Sequence, residues 1–160
     1  MNENICCPPF DPVPWDDVTV EWNDRRFIRD KVLTLFFMPL NFGKVITRLN
    51  AKMKAADANS LDNMNISDHV SKWRTDLYVA VDKNVPGADN VSISGTFYSK
   101  VYEGPFKDAG RWMDDFVADV KDKGFMAEKI YSWYTTCPKC AKEHGKNYVV
   151  LFANIGWKSD

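Results

Sequence analysis

Two stretches near the start of the chain, Val18-Thr19-Val20-Glu21-Trp22 and Phe27 to Phe37, are rich in β-branched and aromatic residues and predict strands. Pro39-Leu40-Asn41-Phe42-Gly43 then turns the chain. Val45, Ile46, Leu49 and Met53 recur at helical spacing, so a helix with one apolar face follows. The polar run from Asp57 to Ser71 has no such period and predicts a loop. Leu77 to Val81 predicts a strand that stops at Asn84-Val85-Pro86-Gly87.

The same order returns in the second half. Val91 to Tyr102 predicts a strand, with Gly95 as a bulge position, and Glu103-Gly104-Pro105-Phe106 a turn. Trp112, Met113, Phe116, Val117 and Val120 mark one face of a helix that stops at Gly124. Strands follow over Glu128 to Thr135 and Asn147 to Ile155, with a loop from Cys137 to Lys146 between them. Pro39 and Pro105 open matching turns, and Tyr78 and Tyr148 open matching strands. The expected fold class is therefore α+β: two pseudo-repeated β-α-β-β units forming one antiparallel sheet with both helices on one face. Residues 1–17 hold Pro8, Pro9, Pro12 and Pro14, with Phe10 and Trp15 among them, and read as an extended arm pinned by its aromatics; residues 18–160 form the domain.

Composition narrows the function classes. The chain has 160 residues and a formal net charge of -1, without a long basic run, so no nucleic-acid partner is expected. The most apolar run, Val32 to Leu40, is too short to span a bilayer, and the first residues lack the basic start and apolar core of a signal peptide. A cytoplasmic location and no membrane partner are the expectations. Aromatic residues make up 14% of the chain, a surplus that suits a surface which is apolar yet carries polar handles.

The motifs of the second half carry a family resemblance. Gly95-Thr96-Phe97, Tyr102-Glu103-Gly104-Pro105-Phe106, the helix around Trp112 and Glu128-Lys129-Ile130-Tyr131 resemble the GyrI-like small-molecule-binding (bacterial effector-binding) family. The Cys-Cys-Pro-Pro start and the Cys-Pro-Lys-Cys loop resemble a stand-alone subgroup of it, often labelled only as hydrolases. The turn departs from the His-Gly-Pro-Tyr of many members. The resemblance implies a cleft between the halves, lined by aromatics, with a buried acidic residue facing cationic or electrophilic ligands. Some stand-alone members hydrolyse strained cyclopropane-containing toxins.

The candidate chemistry follows from these residues. Glu103 sits where a strand breaks toward a helix, beside a glycine that permits close backbone approach; a carboxyl among aromatics suits acid–base work, and a carboxylate at a helix start suits the dipole equally well. The family pattern favours Tyr131 with a nearby carboxylate. Alternation places Tyr131 and Trp133 on one face of their strand and Glu128 on the other. Trp22, Tyr78, Tyr98, Tyr102, Trp133 and Tyr148 are the candidate ligand-binding walls, each with core packing as the alternative. Glu21 and Glu128 are further carboxylates that suit a solvated surface. His69 falls in the predicted loop, and Asp114, Asp115, Asp119 and Asp122 read as a solvated helix face.

Cys137 and Cys140 have the spacing with which two thiolates grip one tetrahedral metal. Cys6 and Cys7 can complete a four-sulfur zinc site if the arm folds back, with His144 as a spare ligand. Free thiols and redox chemistry stay open, and no cofactor is required. Three functions compete: binding an apolar, aromatic or cationic small molecule, hydrolysis of a strained or electrophilic one, and a zinc-stabilised interaction module.

Overall fold

The structure, a computed structural model, describes residues 10–35, 38–135 and 147–155. Its elements are a 3-10 turn at Val13–Trp15, β1 (Val18–Leu35), β2 (Met38–Pro39), α1 (Phe42–Ala55), β3 (Ser60–His69), β4 (Arg74–Val81), β5 (Asp89–Glu103), a 3-10 turn at Phe106–Asp108, α2 (Ala109–Asp122), β6 (Lys129–Tyr134) and β7 (Tyr148–Asn154). The chain divides into a central unit, Asn23–Ser94, and a terminal unit made of the chain on either side of it. The long strands β1 and β5 run through both boundaries.

In the central unit β1 pairs with β4 antiparallel, from Phe27 opposite Ala80 to Leu33 opposite Arg74, and β4 pairs with β3. Helix α1 forms because Val45, Leu49 and Met53 fall one turn apart and are buried together, while Lys52 and Lys54 in its last turn suit the negative end of the helix dipole. That stripe packs on Ile28 and Val32 of β1 and on Leu77, Val79 and Val81 of β4. The opposite face of the three strands carries Phe27, Arg29, Tyr78, Ile66, Asp68 and Asp76 by strand alternation.

The terminal unit repeats this order. β5 pairs with β7, from Phe97 opposite Asn154 to Glu103 opposite Tyr148, and β7 pairs with β6. Helix α2 buries Trp112, Phe116 and Val120 against Tyr98, Val149, Leu151 and Ala153. Both helices end near residues with positive φ, Asp57 at +54° and Gly124 at +79°.

Two expectations are corrected. The run Asp57 to Ser71 is not a loop: Ser60–His69 is strand β3. Asp62 and Asn63 adopt positive φ, and the pairing register shifts between Ser60 and Asn65. The irregularity breaks the alternation that a sequence pattern needs, and past it Met64, Ile66 and Asp68 are all buried. The fold class also differs. The hydrogen-bonded order is β2-β1-β4-β3-β6-β7-β5, and β1 additionally pairs with β5. The ladder of six strands returns on itself, a closed barrel order in place of an open α+β sheet with two helices on one face. The physical reason is strand length: β1, at 18 residues, and β5, at 15, are long enough to engage several partners and leave no long open edge.

Candidate functional site

The face of β5, β6 and β7 turned away from α2 is a wall of rings. Alternation and register put Tyr131, Phe152 and Ser99 in one row and Trp133, Val150 and Val101 in the next. Trp22 adds its ring 4.3 Å from Phe97 and 5.3 Å from Phe152. The arm adds two more: Trp15 lies edge-on to Trp133 at 5.3 Å, and Phe10 packs 5.3 Å from Trp133 and 5.6 Å from Tyr148. Ser99 Oγ donates to the Trp15 carbonyl at 2.7 Å, and Val101 N–H to Asp16 Oδ1 at 3.1 Å, which fixes this stretch of arm on β5. Within the wall the indole Nε1 of Trp133 is buried and has no hydrogen-bond partner among the described residues. Such a group costs about 1–3 kcal/mol when left unpaired, so the structure holds a donor in reserve.

Glu103 closes β5 on the same face, opposite Tyr148, and is exposed. The turn after it is clamped: Gly104 N–H donates to the Asn147 carbonyl at 3.1 Å, and Asn147 Nδ2 to the Gly104 carbonyl at 2.9 Å. Gly104 has φ +150°, and a Cβ there would meet Trp112 Cζ2 at 3.0 Å, so only glycine fits. Tyr131 is 5% exposed and neighbours Phe97 at 6.2 Å. Four residues along a strand and two strands across separate Glu103 from Tyr131, roughly 16 Å by strand geometry. The two share a face of the terminal unit.

Tyr98 and Tyr102 lie on the other face, beneath α2. Tyr98 stacks on Phe116 at 5.7 Å, and its hydroxyl stands 2.6 Å from Asp119 Oδ2 and 2.7 Å from Asp17 Oδ1. Tyr102 stacks on Trp112 and donates to Asp115 Oδ2 at 2.6 Å. Lys123 stands 3.2 Å from Asp17, and Lys100 lies 3.5 Å from Asp115 and 3.6 Å from Asp119. Burial, and then the carboxylates, push both phenols above their ordinary range. The Tyr98 hydrogen bond, with Lys123, holds the Asp17 carboxyl below the usual range; the Tyr102 bond, with Lys100, does the same for Asp115. These tyrosines are thus tied to helix carboxylates rather than set in the ring wall. The helix face expected to be solvated supplies their partners.

In the central unit Tyr78 is 5% exposed and meets Phe27 edge-on at 6.2 Å. Beside it lies a pair that the sequence reading missed. Asp68 and Asp76 sit directly opposite each other on β3 and β4 and are both buried. Arg74 Nε approaches Asp76 Oδ1 at 3.3 Å without hydrogen-bond geometry. Facing carboxylates are unfavourable unless a cation offsets them, and the Arg74 guanidinium does so for Asp76. His69, next to it, bonds Thr75 Oγ1 at 3.1 Å and is half-buried rather than solvated; burial pushes its imidazole below the ordinary value.

Glu21 and Glu128 are exposed. Cys6, Cys7, Cys137 and Cys140 lie outside the described residues, as does His144. Among the described residues no group of three or more His, Cys, Asp or Glu is placed to hold a metal. No helix among them is long and apolar enough to cross a membrane.

These features define a mostly-strand domain with an aromatic wall on one unit and a buried carboxylate pair on the other. The chain belongs to the bacterial hydrolase family, whose profile, described as Bacterial hydrolase, matches residues 1–155. No curated protein matches it by sequence. Among solved structures the chain is similar in fold to one in the cryo-EM structure of the EcmrR-DNA complex in EcmrR-RPo, with a TM-score of 0.68 and 11% identity. The match covers 87% of this chain and 56% of that one, so this chain spans little more than half of its neighbour's length. The neighbour's DNA complex lends no support to the expectation that nucleic acid is absent among the partners.

Proposed function

We propose that this chain is a GyrI-like domain that binds an apolar, aromatic or cationic small molecule against the ring wall of its terminal unit. One observation carries the reading: the buried, unpaired indole N–H of Trp133 among the rings of Phe10, Trp15 and Phe152. A planar ligand with an acceptor atom satisfies that donor, and ring faces attract a cationic one. The test is a thermal-shift and fluorescence titration with planar cationic dyes and neutral aromatic amides. Trp133→Phe keeps a ring and removes the donor; affinity for acceptor-bearing ligands then falls about tenfold. Absence of any stabilisation by these compounds at about 0.5 mM defeats the reading.

The family supports a second reading, hydrolysis of a strained or electrophilic compound. Here a carboxylate takes a proton from water, the hydroxide adds to an electrophilic carbon, a ring bond breaks, and an acid returns the proton to the leaving carbon or oxygen. Tyr131 is the proposed proton donor on the ring wall. Glu103, on the same face of the same unit, is the carboxylate to test. Turnover of a cyclopropane-bearing alkylator is compared in Glu103→Gln and Tyr131→Phe; a variant with undiminished turnover removes its residue from the mechanism.

A further inference from the structure

The central unit gathers exposed apolar side chains at one end. Of the ten exposed large hydrophobic residues described, six are Leu33, Leu35, Leu40, Phe42, Val70 and Trp73. The backbone brings their positions together: Leu40 N–H bonds the Leu33 carbonyl at 2.8 Å, Thr34 N–H bonds the Trp73 carbonyl at 2.9 Å, and Leu35 pairs with Met38. Trp73 is 56% exposed and Leu40 64%. Side chains of this size left about half exposed or more contribute only part of their area to a core, and a patch of them marks a contact surface.

The exposed charges nearest the patch are lysines. Lys31 and Lys44 lie beside it, whereas Arg48 is already paired with Asp30 at 2.7 Å and Lys52 and Lys54 sit in the far turn of α1. Lys72 borders the patch from the β3–β4 turn, and Lys31, Lys44 and Lys72 are exposed. Asp68 and Asp76, the acids that flank this turn, are buried. In a chain of net charge -1 this end is a local basic rim around leucines and a tryptophan.

We propose that this end of the central unit seats on an anionic lipid surface. The apolar side chains enter the headgroup boundary, where tryptophan is favoured, and the lysines meet the anionic headgroups. A second copy of the chain fits less well, because a two-fold contact would bring the two basic rims together. Surface seating needs no spanning segment, so the shortness of the apolar run does not oppose it.

The test is flotation of the full chain with vesicles of phosphatidylcholine alone or mixed about 7:3 with phosphatidylglycerol. The chain floats with the anionic vesicles and not with the neutral ones, and high salt releases it. Lys44→Ala and Lys72→Ala each weaken partitioning about fivefold, and Leu35→Asp with Leu40→Asp abolishes it while far-UV circular dichroism is unchanged. Should the leucine variant misfold, brominated lipid gives a second readout: it quenches tryptophan emission in the wild type, and Trp73→Phe removes most of that quenching. Failure of the folded wild type to float overturns the proposal. Equal, salt-insensitive flotation on neutral vesicles overturns the role of the lysines. A dimer in light scattering that the leucine substitutions dissolve, without flotation, assigns the patch to self-association instead.

Discussion

Tyr98 on β5 gives its hydroxyl to Asp119 on α2 across 2.6 Å, and the same oxygen lies 2.7 Å from Asp17 at the end of the arm. One phenol therefore ties helix, strand and arm together. Tyr98 is 2% exposed, so its loss is not made good by water. Tyr98→Phe is expected to lower stability by about 1–2 kcal/mol, the range for a hydrogen bond to a charged group discounted for partly exposed acceptors. Urea denaturation measures it, and a change below a few tenths would show the bond to be idle.

The pH dependence has two stages. The His69 imidazole is held below its ordinary value of 6.5 by burial, so the unfolded chain binds its proton first; stability is full above about pH 6.5 and falls as pH drops toward the folded value. Asp17 and Asp115 are held below the ordinary carboxylate value of 3.8, so their contribution is present above about pH 4 and is lost as pH falls through their folded values. Melting temperature against pH should therefore decline in two steps. His69→Gln should flatten the first, and Asp17→Asn should blunt the second without touching the first.

Gly104 tests the turn that follows Glu103. Its φ of +150° and the 3.0 Å approach of Trp112 to a built Cβ both oppose any side chain. Gly104→Ala is expected to cost about 1–3 kcal/mol in thermal unfolding. A melting temperature equal to wild type would mean that the turn relaxes freely.

Trp15 tests whether the arm is part of the ring wall. It packs edge-on to both Trp133 and Phe152 and is half-buried. Trp15→Ala should destabilise by about 2–3 kcal/mol, less than for a fully buried tryptophan, and should expose the wall to an apolar fluorescent dye. Unchanged dye fluorescence would show that the wall is closed by other means.

Much of the layout was legible because short-range pattern decides it. Val45, Leu49, Met53, Trp112, Phe116 and Val120 are buried as their spacing predicts, Ile46 and Met113 partly so, while Val117 is 48% exposed; β4, β5, β6 and β7 lie within a few residues of their apolar runs. Tyr131 and Trp133 share a face of β6, as alternation requires. β3 was not legible: its bulge at Asp62 and Asn63 hides the period, and its polar residues find burial only through pairing with β4. Asp68 and Asp76 were missed for the same reason, since nothing local places two acids eight positions apart opposite each other.

By itself, then, the sequence determined the helices, most strands and the aromatic surplus, because these follow from periodicity, β-propensity and turn chemistry within a few residues. Only the tertiary structure decided the closure of the ladder through β1 and β5, the division of the aromatics into a ring wall and a set tied to α2, and the strand spacing between Glu103 and Tyr131. Those outcomes depend on register between strands distant in sequence, where a shift of one residue turns every side chain to the other face.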